Sequence, residues 1–150
     1  MSNEKPVSPS TSFFSALDSE PTSPLGYACS LQQACASVGF DWTEMPPVLD
    51  KVREEIDEIQ QELDCEPVNP ARLHDEIGDA FFALVNLARH AGISPDDAVA
   101  AASNKFRQRF ELVAALAEAG KGSIGDYSLE ELDAFWGQAK VSLQTNPQSR

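Results

Sequence analysis

The chain has 150 residues, of which 24 are Asp or Glu and 11 are Lys or Arg, giving a formal charge of −13. That length suits one domain, and a 42% hydrophobic fraction with eight Phe and two Trp supplies a core and excludes a wholly disordered chain. Such acidity opposes binding to nucleic acid polymers, where Lys and Arg must displace condensed counterions, yet admits a small phosphorylated ligand bridged by divalent cations.

Ser, Thr and Pro dominate residues 1–24, which read as a disordered leader with no apolar run of the secretory kind. The longest apolar stretch, AFFALVNLA from Ala80, is too short to span a bilayer and contains Asn86. A cytoplasmic protein without membrane contact is expected, with the domain over residues 25–143 and a flexible tail over 144–150. Tyr27, Leu31, Ala34 and Val38 predict a first helix after Gly26, stopped by Gly39. Pro46 and Pro47 open a second helix, whose apolar seam is Leu49, Val52, Ile56, Ile59 and Leu63, ending near Cys65. Asn69-Pro70 predicts cap and first-turn proline of a third helix running to Ala91, before Gly92. Ser94-Pro95-Asp96-Asp97 starts a fourth, ended by Gly120, and Ser128 with Glu131 forms a capping box for a last helix to about Leu143. No segment alternates with period two, so the fold class is an all-α bundle of four to five helices. Apolar residues lie on several faces of the third helix, Leu73, Ile77, Phe81, Leu84 and Leu87 on one and Phe82 and Val85 on others, so a homodimer is expected to cover it. Cys29, Cys35 and Cys65 show no C-x-x-C spacing and read as reduced, structural thiols.

The second helix carries Glu54, Glu55 and Glu58 as E-E-x-x-E, and the third carries Glu76 and Asp79 as E-x-x-D. Each holds an i,i+3 acidic pair on one face, and antiparallel packing through a short link would bring both pairs to one cleft. Only Lys51, near Glu54 and Glu55, and Arg72, near Glu76, stand at compensating spacing. Crowded carboxylates of this kind suit Mg²⁺, which takes a few oxygen ligands and completes its shell with water and substrate phosphates. A solvated acidic helix face is the plainer alternative. A di-iron bundle would need Glu-x-x-His, whereas Ala71 and Leu87 stand three residues before His74 and His90.

Lys105 and Arg109 lie one turn apart beside Phe106 and Phe110, spaced to reach one polyanion; Trp136 and Lys140 repeat the spacing on the last helix, pairing a surface for base stacking with a cation. Each of these residues also fits an ordinary surface or packing role.

Taken together, E54-E-x-x-E58, E76-x-x-D79, K105-F-x-x-R109-F and W136-x-x-x-K140 resemble the MazG family of all-α nucleoside triphosphate pyrophosphohydrolases, with VGFDW at 38–42, VREEIDEI at 52–59 and ELDAFWGQAK at 131–140 extending the similarity over about residues 25–143. The likeness is to the C-terminal domain of two-domain members. It implies conversion of a nucleoside triphosphate to monophosphate and pyrophosphate with Mg²⁺, for which Mn²⁺ can substitute. It further implies Glu55, Glu58, Glu76 and Asp79 as metal ligands, and Glu54 as a neighbouring acid that orders a water. Lys105, Arg109 and Lys140 are implied as phosphate contacts, and Trp136 as the nucleotide-contacting aromatic. Ser103 stands where many relatives carry Asn, with Asn104 adjacent. A non-catalytic helical nucleotide-binding or protein-interaction module is the alternative, separated from the enzyme by a Mg²⁺-dependent phosphate-release assay.

Overall fold

Local chemistry at the helix ends fixes the element order. The computed structural model describes residues 6–19 and 22–144. It contains helices α1 (Pro24–Ser37), α2 (Met45–Leu63), α3 (Pro70–His90), α4 (Pro95–Ala119) and α5 (Leu129–Gln144), with 3₁₀ turns at Ser15–Leu17 and Ile124–Asp126. No strand occurs among the described residues, so the fold class is all-α, as the periodicity predicts. Asn69 Oδ1 accepts from the N–H groups of Ala71 and Arg72 at 3.0 and 3.3 Å, and Pro70 fills the first turn of α3. The capping box of α5 forms in both directions, Ser128 N to Glu131 Oε2 at 2.8 Å and Glu131 N to Ser128 Oγ at 3.2 Å. Left-handed Gly39 and Gly92 follow α1 and α3. The start of α1 differs from the expectation: Ser23 Oγ accepts from Gly26 N at 2.9 Å and Pro24 supplies the first position, so Gly26 lies inside the helix.

The chain divides after Asp97 into two compact units. In the first, α2 and α3 pack as an antiparallel hairpin across the link at 64–69, and α1 lies on α3. Val48 and Val52 of α2 and Ala80, Ala83 and Val85 of α3 are its buried apolar residues. Gln32 of α1, itself buried, donates from Nε2 to Phe82 O at 2.9 Å. Arg72 pairs with the buried Glu62 at 2.6 Å across the hairpin. The sequence spacing had set it beside Glu76, but a helix-to-helix partner replaces the intrahelical one. Ile77, Phe81 and Leu84 of α3 are 40–56% exposed, an apolar face that the chain leaves open.

In the second unit, Val113, Ala117 and Ala139 are buried. Tyr127 Oη donates to Ala117 O at 2.8 Å and accepts from Lys121 N, tying the short turn before α5 to the end of α4. Phe106 stacks on Phe110 at 6.0 Å between centroids and leans on Trp136 at 5.3 Å.

Candidate active site

The i,i+3 spacing on two antiparallel helices does converge. One carboxylate oxygen from each of Glu55, Glu76 and Asp79 lies within 4.8 Å of the others. Glu55 is 4% exposed, and its Oε2 has no hydrogen-bond partner although it is sealed from solvent. Glu58 is half-buried one turn on, and the Glu55 carboxylate beside it, followed by burial and by Glu76, pushes the Glu58 carboxyl above its usual range. Lys51 Nζ sits 2.5 Å from Glu55 Oε1 and 3.2 Å from Glu54 Oε1, and the Glu55 carboxylate raises its pKa. Glu54 itself is exposed and joins the cluster only through Lys51. Among the described residues, no Lys or Arg pairs with Glu58, Glu76 or Asp79.

These donors fit a hard divalent cation. All are carboxylate oxygens, the spacing approaches the roughly 4 Å between opposite ligands of Mg²⁺, and the orphaned Glu55 oxygen has a lone pair to offer. An ammonium group already sits against Glu55, which shows that the position favours positive charge.

Beside the cluster opens a cleft of about 820 Å³ lined by Phe14, Leu31, Cys35, Phe40, Trp42 and Phe82, with Lys51, Glu55 and Asp79 contributing charge. Its rim is set by Asp41 in the turn after α1. Arg89 clamps Asp41 with two bonds of 2.6 and 3.0 Å, His90 Nε2 lies 2.8 Å from Asp41 Oδ1, and Asn86 Oδ1 accepts from Arg89 at 2.8 Å. Chiefly through the Arg89 guanidinium, the Asp41 carboxyl is lowered to about 2. Sequence reasoning gave this knot no role. Its available trace was an acid in the turn and an Arg-His pair ending the third helix, too far apart in sequence to be matched by spacing.

In the second unit, Arg109 lies with its guanidinium carbon 5.8 Å from the Trp136 ring centroid, and its Nε is buried without a hydrogen-bond partner. Lys105 and Lys140 are exposed on the same two helices. The structure thus joins Arg109 to Trp136 and gathers Glu55, Glu76 and Asp79, while Glu58 stands outside that trio, one turn along α2 from Glu55.

An all-helical chain whose acidic hairpin gathers three carboxylates of a kind that would suit a hard cation is the class that fold and geometry define. Residues 43–114 match the MazG nucleotide pyrophosphohydrolase domain, and the chain belongs to that family. It is 44% identical over 128 residues to the nucleoside triphosphate pyrophosphohydrolase of Escherichia coli K12, and 34% identical over 121 residues to the nucleoside triphosphate pyrophosphohydrolase/pyrophosphatase MazG of Thermotoga maritima. These alignments cover 84% and 81% of this chain and 49% and 46% of those proteins, so the chain spans about half the length of the curated relatives it matches. The uncharacterized protein YabN of Bacillus subtilis is 41% identical over 68 residues, 45% of this chain and 14% of that protein.

Proposed function

We propose that the protein is a Mg²⁺-dependent nucleoside triphosphate pyrophosphohydrolase that yields the monophosphate and pyrophosphate. The observation that carries this reading is the convergence of Glu55, Glu76 and Asp79, with a buried Glu55 oxygen left unpaired. These three residues, with Glu58 one turn along from Glu55, would hold the cation, and Mn²⁺ satisfies the same oxygen donors. When bound, the ion neutralises phosphate oxygens and makes water a better nucleophile. Lys51 keeps Glu54 beside the cluster, the position from which Glu54 would orient water. Substrate roles for Lys105, Arg109, Lys140 and Trp136 rest on their motif spacing and belong to the same proposal. Three cations exceed what one orthophosphate needs and suit a pyrophosphate leaving group. Water would therefore cleave the α–β phosphoanhydride, its oxygen bonding to one of the two flanking phosphorus atoms as that atom's bond to the bridging oxygen breaks, which leaves monophosphate and pyrophosphate.

The test is a panel of nucleoside triphosphates incubated with and without Mg²⁺, products being resolved by chromatography. Monophosphate and pyrophosphate without diphosphate are expected. Diphosphate with orthophosphate would overturn the bond assignment, and no Mg²⁺-dependent turnover of any triphosphate would overturn the activity.

The exposed apolar face of Ile77, Phe81 and Leu84 supports a homodimer, checked by light scattering at micromolar concentration, where a monomer would refute it. A cytoplasmic location is part of the proposal; no helix among the described residues is long and apolar enough to cross a membrane.

A further inference from the structure

We propose that Phe14, in the segment ahead of α1, is an aromatic wall of the nucleobase subsite; the inference rests on the nucleotide reading of the carboxylate cluster. The sequence describes this segment as a leader with little to pack, yet residues 12–18 adopt a bonded turn. Ser15 donates to Ser12 O from both N and Oγ, at 3.2 and 2.8 Å, and Leu17 N donates to Phe14 O at 2.9 Å. The turn lies against α1, and Phe13 meets Phe14 edge to face at 4.8 Å. Phe14 is half-buried among mostly exposed neighbours, and it lines the cleft together with Glu55 and Asp79.

Two observations decide what that cleft takes. Its walls are mainly aromatic and aliphatic, from Phe14, Phe40, Trp42, Phe82 and Leu31, while Glu55 and Asp79 of the carboxylate cluster also line it. A ligand matching both parts has a planar apolar body joined to a polyanion that shares the cation, which is the chemistry of a nucleotide with its base among the aromatic side chains. The cleft keeps about 820 Å³ with Phe14 in place, within the range of small-molecule sites, so Phe14 bounds the space without filling it.

The experiment compares the full chain with Phe14→Ala and Phe14→Tyr. Adenosine, cytidine and thymidine are titrated in EDTA by ligand-observed NMR, and hydrolysis of the corresponding triphosphates and of methyl triphosphate is measured with Mg²⁺. Phe14→Ala should weaken nucleoside binding and raise KM on the order of tenfold, the scale of one lost stacking contact, with kcat nearly unchanged. Phe14→Tyr should restore both, and methyl triphosphate, which has no base, should not distinguish the three proteins. Undiminished nucleoside binding in Phe14→Ala, or no nucleoside binding by the unaltered chain, would overturn the proposal. Tighter binding in Phe14→Ala would show that the segment obstructs the cleft, and an equal loss on methyl triphosphate would show general damage; either also overturns it. If the unaltered chain binds nucleosides but hydrolyses no triphosphate, the activity reading fails, while the titrations still decide the role of Phe14.

Discussion

The carboxylate cluster of the α2–α3 hairpin and two acids after Asp97 keep different company. Glu111 holds Arg107 at 2.8 Å, and Glu131 holds Lys121 while also closing the capping box of α5. The Lys121 ammonium, with the Ser128 N–H, keeps the Glu131 carboxyl below its usual range. On the α2–α3 hairpin, by contrast, Glu55, Glu76 and Asp79 crowd together, Lys51 pairs with Glu55, and the Glu55 carboxylate, followed by burial and by Glu76, drives the Glu58 carboxyl upward. Like charges one turn apart destabilise a helix. Glu111 and Glu131 sit beside cations, Glu131 at a helix start as well, whereas Glu55, Glu76 and Asp79 of the hairpin are set against one another.

Substitutions can break that contrast. Asp79→Asn and Glu58→Gln should each cut Mg²⁺-dependent pyrophosphate release on the order of 100-fold or more, while the melting temperature holds or rises because charge leaves a crowded site. Turnover near that of the unaltered chain would remove the hairpin's distinction. Lys105→Ala and Arg109→Ala should each lower kcat/KM by roughly 1.5–3 kcal/mol, the scale of a charge-assisted hydrogen bond, without loss of helicity by circular dichroism. Equal values for substituted and unaltered chains would return both residues to a surface role.

Acid unfolding sharpens the same contrast, because Asp41 is a paired acid within the first unit. Folding lowers its pKa from 3.8 to about 2. Its contribution is therefore complete above the unfolded value and is lost as the pH falls through the folded one, on the order of 1–2 kcal/mol after solvent screening. Denaturant melts between pH 5 and 2 should show this slope for the unaltered chain and a shallower one for Asp41→Asn. The smallest effect is expected at Ser128→Ala, which removes one side of a capping box and should cost about 1 kcal/mol in chemical unfolding with turnover unchanged. A large loss of activity there would mean that the second unit's pairing is more than structural.

What could be read from the sequence is what depends on neighbours in the chain. Asn69-Pro70 and Ser128 with Glu131 act within one turn, and both caps form as their spacing predicts. The carboxylate pairs were visible for the same reason, since i,i+3 spacing fixes a shared face before any helix packs. Arg72 shows the limit: two acids lay within reach, and only the closing of the hairpin selects Glu62 over Glu76. The Asp41–Arg89–His90 knot joins residues nearly fifty positions apart, and Phe14 acquires its place only when α1 and α3 enclose the cleft. Neither has a periodicity to betray it.

Ser23 Oγ faces two ways, accepting from Gly26 N and donating to Asp96 Oδ2. Asp96 occupies the first turn of α4 and reaches the first turn of α1 through that hydroxyl, so a single negative charge compensates the positive poles of two helix dipoles. A Cβ at position 26 would press on Thr22 Oγ1 and lie 3.0 Å from Ser23 Oγ and 3.1 Å from Asp96 Oδ2. Glycine-to-alanine replacement inside a helix ordinarily gains about 0.5–1 kcal/mol. At this junction the common recipe for a sturdier protein would run backwards, because one methyl group would wedge apart the beginnings of both helices.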